Sequence, residues 1–458
     1  MFCNRVENGL DGLRVALEKH IARQGEAALD KIADVAVNDP KQYVSTILKI
    51  YRSYHSLVTY SLKREPAFVQ ALDKGCASFI NRNNITRKTN VNFKNPSKSP
   101  ELLARYCDIL LKESPKNPKE NELEKFLHQI IIILKYIENK DRFEIFYMDL
   151  SAERLLNDLS ASDEAESNMI SKLKQISESE YTYKLQQMLN DNRLSKNITE
   201  RYKQHLASKN MNLGLDFSIM VIGSGVWPFS QSPIFNIPVQ LTKSMESFNE
   251  FYQTQHKDRK LTWLLAQCRC ELSAHGFQRK YTFTATTAQM AVLMMYNENT
   301  EMTLQQICDN TKLRHEIVTQ IVQALVKMEL LSIVGPKIDI DANTPLSTVL
   351  RLNSDFSNEE LKIDLSKAIT PVAERQKTAE ADGFMEKDRI ELVQAAIVRI
   401  MKIRKKMKHS ELIKEVFEQL GSRFTPNVKM FKKSIDFLID RDYLQRMENE
   451  KNVYEYIP

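Results

Sequence analysis

Residues 397–405 read IVRIMKIRK and lie in a segment whose apolar side chains recur at helical spacing. At about 100° per residue, one stripe collects Ile390, Val393, Ile397, Ile400 and Met401. Lys402 then points roughly 160° away from the centre of that stripe. The segment therefore predicts a helix that buries one face and holds the Lys402 amine out in solvent.

The same segment opens a C-terminal module whose pattern is typical of a winged helix. Its predicted elements are a helix from Lys387 to Lys406, a helix capped by Ser410, a helix from Val428 to Asp440, and a hairpin of residues 443–447 and 453–457 around residues 448–452. This module accounts for residues 385–458.

Helical periodicity dominates the rest of the chain, which has 42% apolar residues and only 11 Gly and 14 Pro among 458 residues. This composition favours a mainly α protein with small β elements. The predicted domains are a helical bundle at 1–96, a four-helix bundle at 97–235, an α/β region with a winged-helix-like segment at 236–368, a mobile polar linker at 369–384 and the winged helix at 385–458. Asn and Lys enrichment over residues 81–99 marks the first boundary.

Local signals place several elements inside these domains. Ser99 is predicted to cap a helix that Pro100 and Glu101 open, and the block Ile130–Leu134 is predicted to be deeply buried. The α/β region is predicted to hold strands at Leu261–Leu272, Tyr281–Thr286 and Leu330–Val334, a capping box of Thr303 with Gln306, and a helix over Arg314–Met328. A sheet of this kind either closes within the domain or leaves an edge that accepts a strand from another chain.

The chain carries no pattern typical of an enzyme or a membrane protein. No run of about 18 uncharged apolar residues predicts a membrane span. Six scattered cysteines without a CxxC motif indicate a reduced, cytosolic set, and Cys268 and Cys270 have only His275 near them, which is too little for zinc. We therefore expect no catalytic residues, no cofactor and no bound metal.

A nucleic-acid-binding winged helix is one alternative. Residues 397–409 hold six basic side chains and no acidic one, which suits contact with phosphates. These residues lie on the first helix of the module, however, and the third helix offers only Lys429, Lys432 and Lys433, without the Arg and Asn that read base edges. We therefore rank nucleic-acid binding below a role in protein assembly.

Longer stretches resemble one protein family. Three stretches near the end of the chain resemble the C-terminal signature of the cullins. They are IVRIMK at 397–402, KKSIDFLIDRDYLQR at 432–446 and YEYIP at 454–458. The same family is matched by SKSPELLARYCD at 97–108, ASDEAE at 161–166, MISKLK at 169–174 and RKLTWL at 259–264. The resemblance covers essentially the whole chain and is closest to the cullins that serve F-box receptors.

The resemblance implies the non-catalytic scaffold of a multi-subunit ubiquitin ligase in the cytoplasm and nucleus. A small RING-finger subunit would bind the 236–368 region by sharing strands, with contacts expected at Lys260, Leu261, Thr262, Trp263 and Leu264. That subunit would in turn bring a ubiquitin-conjugating enzyme. A deneddylating signalosome and a cullin exchange factor are further partners of such a scaffold.

The resemblance also implies that the last winged helix is a neddylation domain. The lysine of the family motif falls on Lys402, which would form an isopeptide bond with a ubiquitin-like modifier. Arg399, Arg404 and Lys405 are expected to dock the conjugating enzyme of that modifier.

The chain departs from the cullin pattern in several places. Cullins begin with a series of helical repeats, and this chain starts within the last of them, which puts adaptor and F-box binding in doubt and keeps a truncated, non-productive (dominant-negative) scaffold as an alternative. Asp149 and Glu153 stand where lysines would help to attract the acidic tail of a conjugating enzyme, so that function is in doubt as well. Phe431 replaces an aliphatic residue, and Pro458 replaces a small one.

Overall fold

The computed structural model describes residues 10–85, 98–115, 117–118, 120–177, 179–229, 235–335, 339–368, 370–421, 423–447, 450 and 452–457. The chain divides into two compact units. Unit 1 contains residues 1–195, 220–228 and 381–458, and unit 2 contains residues 196–219 and 229–380.

The first part of unit 1 is a bundle of closely packed helices. They are α1 (Asp11–Asp30), α2 (Ala33–Ala36), α3 (Pro40–Ser56, continued by a π-helical turn at Leu57–Ser61) and α4 (Pro66–Asn81). A Cβ atom on Gly25 of α1 would lie 2.2 Å from the ring of Phe79, and one on Gly75 of α4 would lie 2.9 Å from Ile21. Glycine is therefore required on both helices where α1 crosses α4.

A second helical bundle follows. It contains α5 (Ser99–Leu111), α6 (Glu120–Tyr136), α7 (Lys140–Leu156), α8 (Asp163–Leu173) and α9 (Ser179–Ser208), the last of which continues into unit 2. In the apolar block of α6, Ile130, Ile133 and Leu134 are buried, whereas Ile131 and Ile132 are half-buried. The predicted burial is thus confirmed for the core-facing side of this helix.

A buried polar junction joins the two bundles. Ser99 was predicted to cap α5, but the helix already includes it; the Ser99 hydroxyl donates instead to the Ile80 carbonyl and lies 2.6 Å from the Tyr43 hydroxyl. Beside it, Asn81 donates to the Tyr136 carbonyl at 2.8 Å and accepts from the Glu138 amide at 3.1 Å. Helices α3, α4, α5 and α6 are therefore fixed to one another by hydrogen bonds as well as by packing.

A second buried network holds α5, α7 and α8 together. The Arg154 guanidinium is fully buried and donates two hydrogen bonds to Glu166, at 2.6 and 2.9 Å. It also donates to Asp108 at 2.7 Å and to the Ser151 hydroxyl at 3.0 Å. One cation thus compensates two carboxylates from different helices inside the bundle.

Unit 2 combines helices with two small sheets. Its helices are α10 (Val239–Gln255), α11 (Thr287–Met294), α12 (Leu304–Thr311) and α13 (His315–Lys327). The first sheet has the order β1 (Arg269–Ala274), β2 (Tyr281–Thr286) and β6 (Lys362–Asp364), with β1 antiparallel and β6 parallel to β2. The second is antiparallel, with β5 (Val349–Leu352) between β3 (Glu301–Thr303) and β4 (Leu331–Ile333).

Most of the elements predicted in this region are confirmed. The strand at Tyr281–Thr286 has the predicted bounds, and Thr303 and Gln306 form the predicted capping box at the start of α12. The strand predicted at Leu261–Leu272 is wrong in its first half, because β1 begins only at Arg269 after a 3₁₀ turn at Leu265–Gln267. Trp263 explains the difference. The centre of its ring lies 6.1 Å from that of Phe248 and 6.4 Å from that of Phe217, and this packing holds the segment against the core.

The C-terminal module is the predicted winged helix. It contains α14 (Thr370–Arg404), β7 (Lys406–Lys408), α15 (His409–Leu420), α16 (Val428–Asp440), β8 (Leu444–Arg446) and β9 (Val453–Tyr456), with β9 central in an antiparallel sheet. The bounds of α16 agree with the prediction, and Asn427 caps it by accepting from the Met430 amide at 2.8 Å. Residues 448, 449 and 451 of the predicted hairpin loop, and Pro458, lie outside the described residues.

The cap predicted at Ser410 is wrong, and the segment predicted as a linker is largely helical. Ser410 is not a cap, because α15 already begins at His409. Most of the segment predicted as a mobile linker, 369–384, is helical, since α14 begins at Thr370; residue 369 lies outside the described residues. The segment is rich in Ala, Glu, Gln, Lys and Arg, which favour helix by intrinsic propensity even where no apolar stripe is present.

Candidate functional site

The described residues contain neither a helix long and apolar enough to cross a membrane nor a group of three or more potential metal ligands. Two other features are candidate functional sites, namely the surface around Lys402 and the edge of a small sheet.

Lys402 lies near the end of α14 with its side chain in solvent. The predicted stripe faces the opposite way, since Val393, Ile397, Ile400 and Met401 are buried in the core of the module. Among the described residues, Lys402 takes part in no hydrogen bond or ion pair. Its amine thus points into solvent from the last turn of the helix, without a partner in the described part of the chain.

The cations around Lys402 are not equivalent. Arg399 is exposed one turn earlier on α14 and makes no ion pair within the described residues. The Arg404 guanidinium lies 3.6 Å from the Glu415 carboxylate, and the Lys405 amine lies 5.3 Å from the centre of the Tyr456 ring. Lys405 also has a left-handed backbone conformation, with φ at 66°, which ends the helix.

The three predicted docking residues therefore divide into two groups. Arg399 and Arg404 line one shallow groove beside Lys402, together with the exposed side chain of Ile403 and the carboxylates of Glu415 and Glu418. Lys405 is not part of this groove lining. The groove offers an approaching protein an apolar side chain between charges of both signs, of which Arg399 makes no ion pair within the described residues.

The residues predicted to bind the RING subunit do not form a strand. Lys260 and Thr262 are exposed, whereas Leu261, Trp263 and Leu264 are half-buried, with Trp263 packed against the core of unit 2. The Trp263 Nε1 atom is buried and has no hydrogen-bond partner in the described part of the chain. This segment leads the chain into β1 rather than forming the sheet itself.

Strand β1 is the better candidate for an accepting edge. It pairs with β2 on one side in continuous register from Arg269–Thr286 to Ala274–Tyr281. Along its opposite edge, residues 270–274 pair with no other strand of the described residues. Its side chains alternate between exposed and half-buried, as expected for a strand with one free face.

Two hydroxyl residues on α9 were missed by the sequence analysis. In unit 2, the Thr199 hydroxyl donates to the Ile219 carbonyl at 3.0 Å and accepts from the Ile219 amide at 3.3 Å. In unit 1, the Ser195 hydroxyl makes the same pair of bonds with Val221, at 3.0 and 2.8 Å. Each hydroxyl thus satisfies both the N–H and the C=O group of one residue in the segment that follows α9, as a residue of a paired strand would. Their spacing of four residues on one helix was the only available signal.

Comparison with known proteins places these features in context. Residues 1–199 match the model of the cullin alpha solenoid domain, residues 221–356 that of the cullin alpha+beta domain, and residues 388–450 that of the cullin protein neddylation domain. Lys402 and its groove lie within the last of these matches.

The similarity extends to curated proteins. The chain is 41% identical to Cullin-1 of Caenorhabditis elegans over 99% of its own length and 58% of that protein. It is 40% identical to Cullin-1 of Dictyostelium discoideum, over 99% of the chain and 59% of the relative, and 36% identical to Cullin-1 of Schizosaccharomyces pombe, over 98% and 58%. The chain therefore spans somewhat less than two thirds of the relatives that it matches.

Proposed function

The chain belongs to the cullin family, and from this premise we propose that it is the non-catalytic scaffold of a RING-type ubiquitin ligase. In this proposal unit 2 binds a small RING-finger subunit. A ubiquitin-like modifier is attached at Lys402 and regulates the assembly.

The observation that carries this proposal is the exposed, unpaired amine of Lys402 near the end of α14, within the described residues. An isopeptide acceptor has to enter the active site of another enzyme, where its amine attacks a thioester. A lysine held by the protein in an ion pair would have to be released first, whereas Lys402 has no such partner among the described residues. Arg399, Arg404 and the apolar side chain of Ile403 supply a surface beside it for that enzyme.

Strand β1 supports the proposal for the RING subunit. A strand added along residues 270–274 would gain main-chain hydrogen bonds for affinity, and the alternating side chains would discriminate between partners. Trp263 would act by fixing the chain immediately before this edge rather than by touching the partner.

The ligase activity would arise from proximity. The RING subunit would hold a charged ubiquitin-conjugating enzyme, and transfer to a bound substrate would then be effectively intramolecular, at roughly millimolar effective concentration for a well-matched span. Attaching the modifier at Lys402 would shift the C-terminal module from a packed to a released arrangement and so increase the number of productive orientations.

Strand addition predicts a specific pattern of hydrogen exchange. When the chain is co-expressed with a small RING-finger protein, we expect a one-to-one complex by native mass spectrometry. The amides among residues 270–274 that face away from β2, which are every second residue, should then exchange about tenfold or more slowly than in the free chain, because they become hydrogen-bonded. The sheet formed by β3, β4 and β5 is the internal control and should be unchanged.

Two other results are informative. A complex that forms without protecting residues 270–274 would leave RING binding intact and contradict strand addition. No complex with any RING-finger protein would contradict the scaffold function itself.

A further inference from the structure

The C-terminal module has a core of its own. Its buried apolar cluster runs from Val393 to Tyr454 and includes Ile397, Met401 and Phe431. Every described side chain in this cluster, or packed against it, comes from residues 390–456. The module can therefore move as a body without opening the core of the helical bundle.

An ion pair joins the module to the bundle. Arg389, near the start of the module, donates from Nε and Nη2 to the two carboxylate oxygens of Asp141, at 2.6 and 2.8 Å. Both side chains are nearly buried, with 11% and 7% of their surface exposed. The guanidinium also lies 4.8 Å from the centre of the Phe424 ring, so it is held by its own module while it reaches the bundle.

The same contact caps a helix of the bundle. Asn139 is the N-cap residue of α7 but makes no side-chain capping bond; its Oδ1 atom accepts from Arg389 Nη2 at 3.0 Å instead. The amide of Lys140, the first residue of α7, has no acceptor within its own helix. It donates to the Arg423 carbonyl of the module at 3.1 Å. The module thus supplies the cap that the helix lacks.

We propose that Arg389, Asp141 and the Lys140–Arg423 hydrogen bond form a clamp that holds the C-terminal module against α7 and opens when the module is released. The clamp suits reversible opening, because its charged and polar groups regain water when they separate, whereas an apolar interface would not. This inference rests on the proposed function in one respect, namely that modification at Lys402 drives the opening. Arg389 and Lys402 share α14, and about 20 Å of helix separates them.

The Lys140 amide provides a direct reporter of the clamp. In the full chain, we expect Arg389→Gln to raise the exchange rate of this amide by about 10- to 100-fold, since a bidentate charged contact is lost. Amides inside the module, such as that of Ile397, should keep their wild-type rates. Lys387→Gln is the matched control, because Lys387 is an exposed cation on the same helix with no ion pair among the described residues; it should leave the Lys140 amide unchanged.

Two outcomes would overturn the clamp. One is an Arg389→Gln protein in which the Lys140 amide exchanges as slowly as in the wild type. The other is a general rise in exchange that includes Ile397, which would assign the pair to the stability of the module rather than to its position. Asp141→Asn tests the same contact from the bundle side and should give the same local rise.

A further arm separates the clamp from the proposed switch. Wild-type chain carrying the modifier on Lys402 should show the raised Lys140 exchange that Arg389→Gln shows without it. If Arg389→Gln opens the contact and the modifier does not, the clamp stands and the proposed switch fails. If the modifier opens the contact and Arg389→Gln does not, the switch stands and the clamp fails.

Discussion

Replacing Lys402 with arginine is expected to abolish the main conjugate between this chain and a ubiquitin-like modifier. Arginine keeps the positive charge, and no described contact of Lys402 would be lost, so the fold should be unaffected. The guanidinium, however, stays protonated and cannot attack a thioester. The measurement is a conjugation reaction on the chain bound to a RING-finger protein, followed by the mass of the product.

The neighbouring lysines provide the control for this experiment. Lys408→Arg changes an exposed cation six residues later and should leave conjugation at its wild-type level. An equal amount of single conjugate on the Lys402→Arg chain, mapped to a different lysine, would show that the acceptor has been misassigned. If Lys402→Arg loses the conjugate but ligase activity under modifying conditions is unchanged, the acceptor stands and the proposed switch is wrong.

The largest expected effect on stability comes from Arg154. Arg154→Met should lower the free energy of unfolding of unit 1 by about 3–5 kcal/mol, because Glu166 stays buried without its cation, while Asp108 keeps only Lys112, 2.6 Å away. Arg193→Met is the matched control: its partner Asp163 is 2.8 Å away, but both side chains are partly exposed, at 44% and 33%. Loss of such a pair should cost below about 1 kcal/mol.

The two tryptophans make this measurement possible unit by unit. Trp227 belongs to unit 1 and donates to Asp191, whereas Trp263 belongs to unit 2. Denaturant unfolding followed by fluorescence in a Trp263→Phe background therefore reports on unit 1. Equal destabilisation by Arg154→Met and Arg193→Met would refute the buried network as a stabilising element. Adding Glu166→Gln to Arg154→Met should recover part of the loss, since the uncompensated buried charge disappears.

Features governed by local rules could be predicted from the sequence. The bounds of α16 and β2 and the capping box at Thr303 follow from periodicity and short-range hydrogen bonding, which neighbouring residues determine. The outward direction of Lys402 likewise follows from helical geometry alone. The resemblance to cullins, which the family comparisons confirm, rested on the same continuous stretches.

Features governed by contacts between distant residues could not be predicted. Ser99 has the chemistry of a cap, but Tyr43 and Ile80 take its hydroxyl. Residues 261–264 alternate like a strand, but the core position of Trp263 decides their path. Arg389 and Asp141 are 248 residues apart, and nothing in either local sequence indicates that they meet.

The junction between the two bundles has a consequence for how the chain behaves when it is cut. Hydrogen bonds connect the helices on both sides of residues 86–97 without using that segment. They involve Tyr43, Ile80, Asn81, Ser99 and Tyr136. A specific protease site introduced there should therefore yield two fragments that elute together on size exclusion and separate only in denaturant. The covalent path between the bundles is then dispensable once folding is complete.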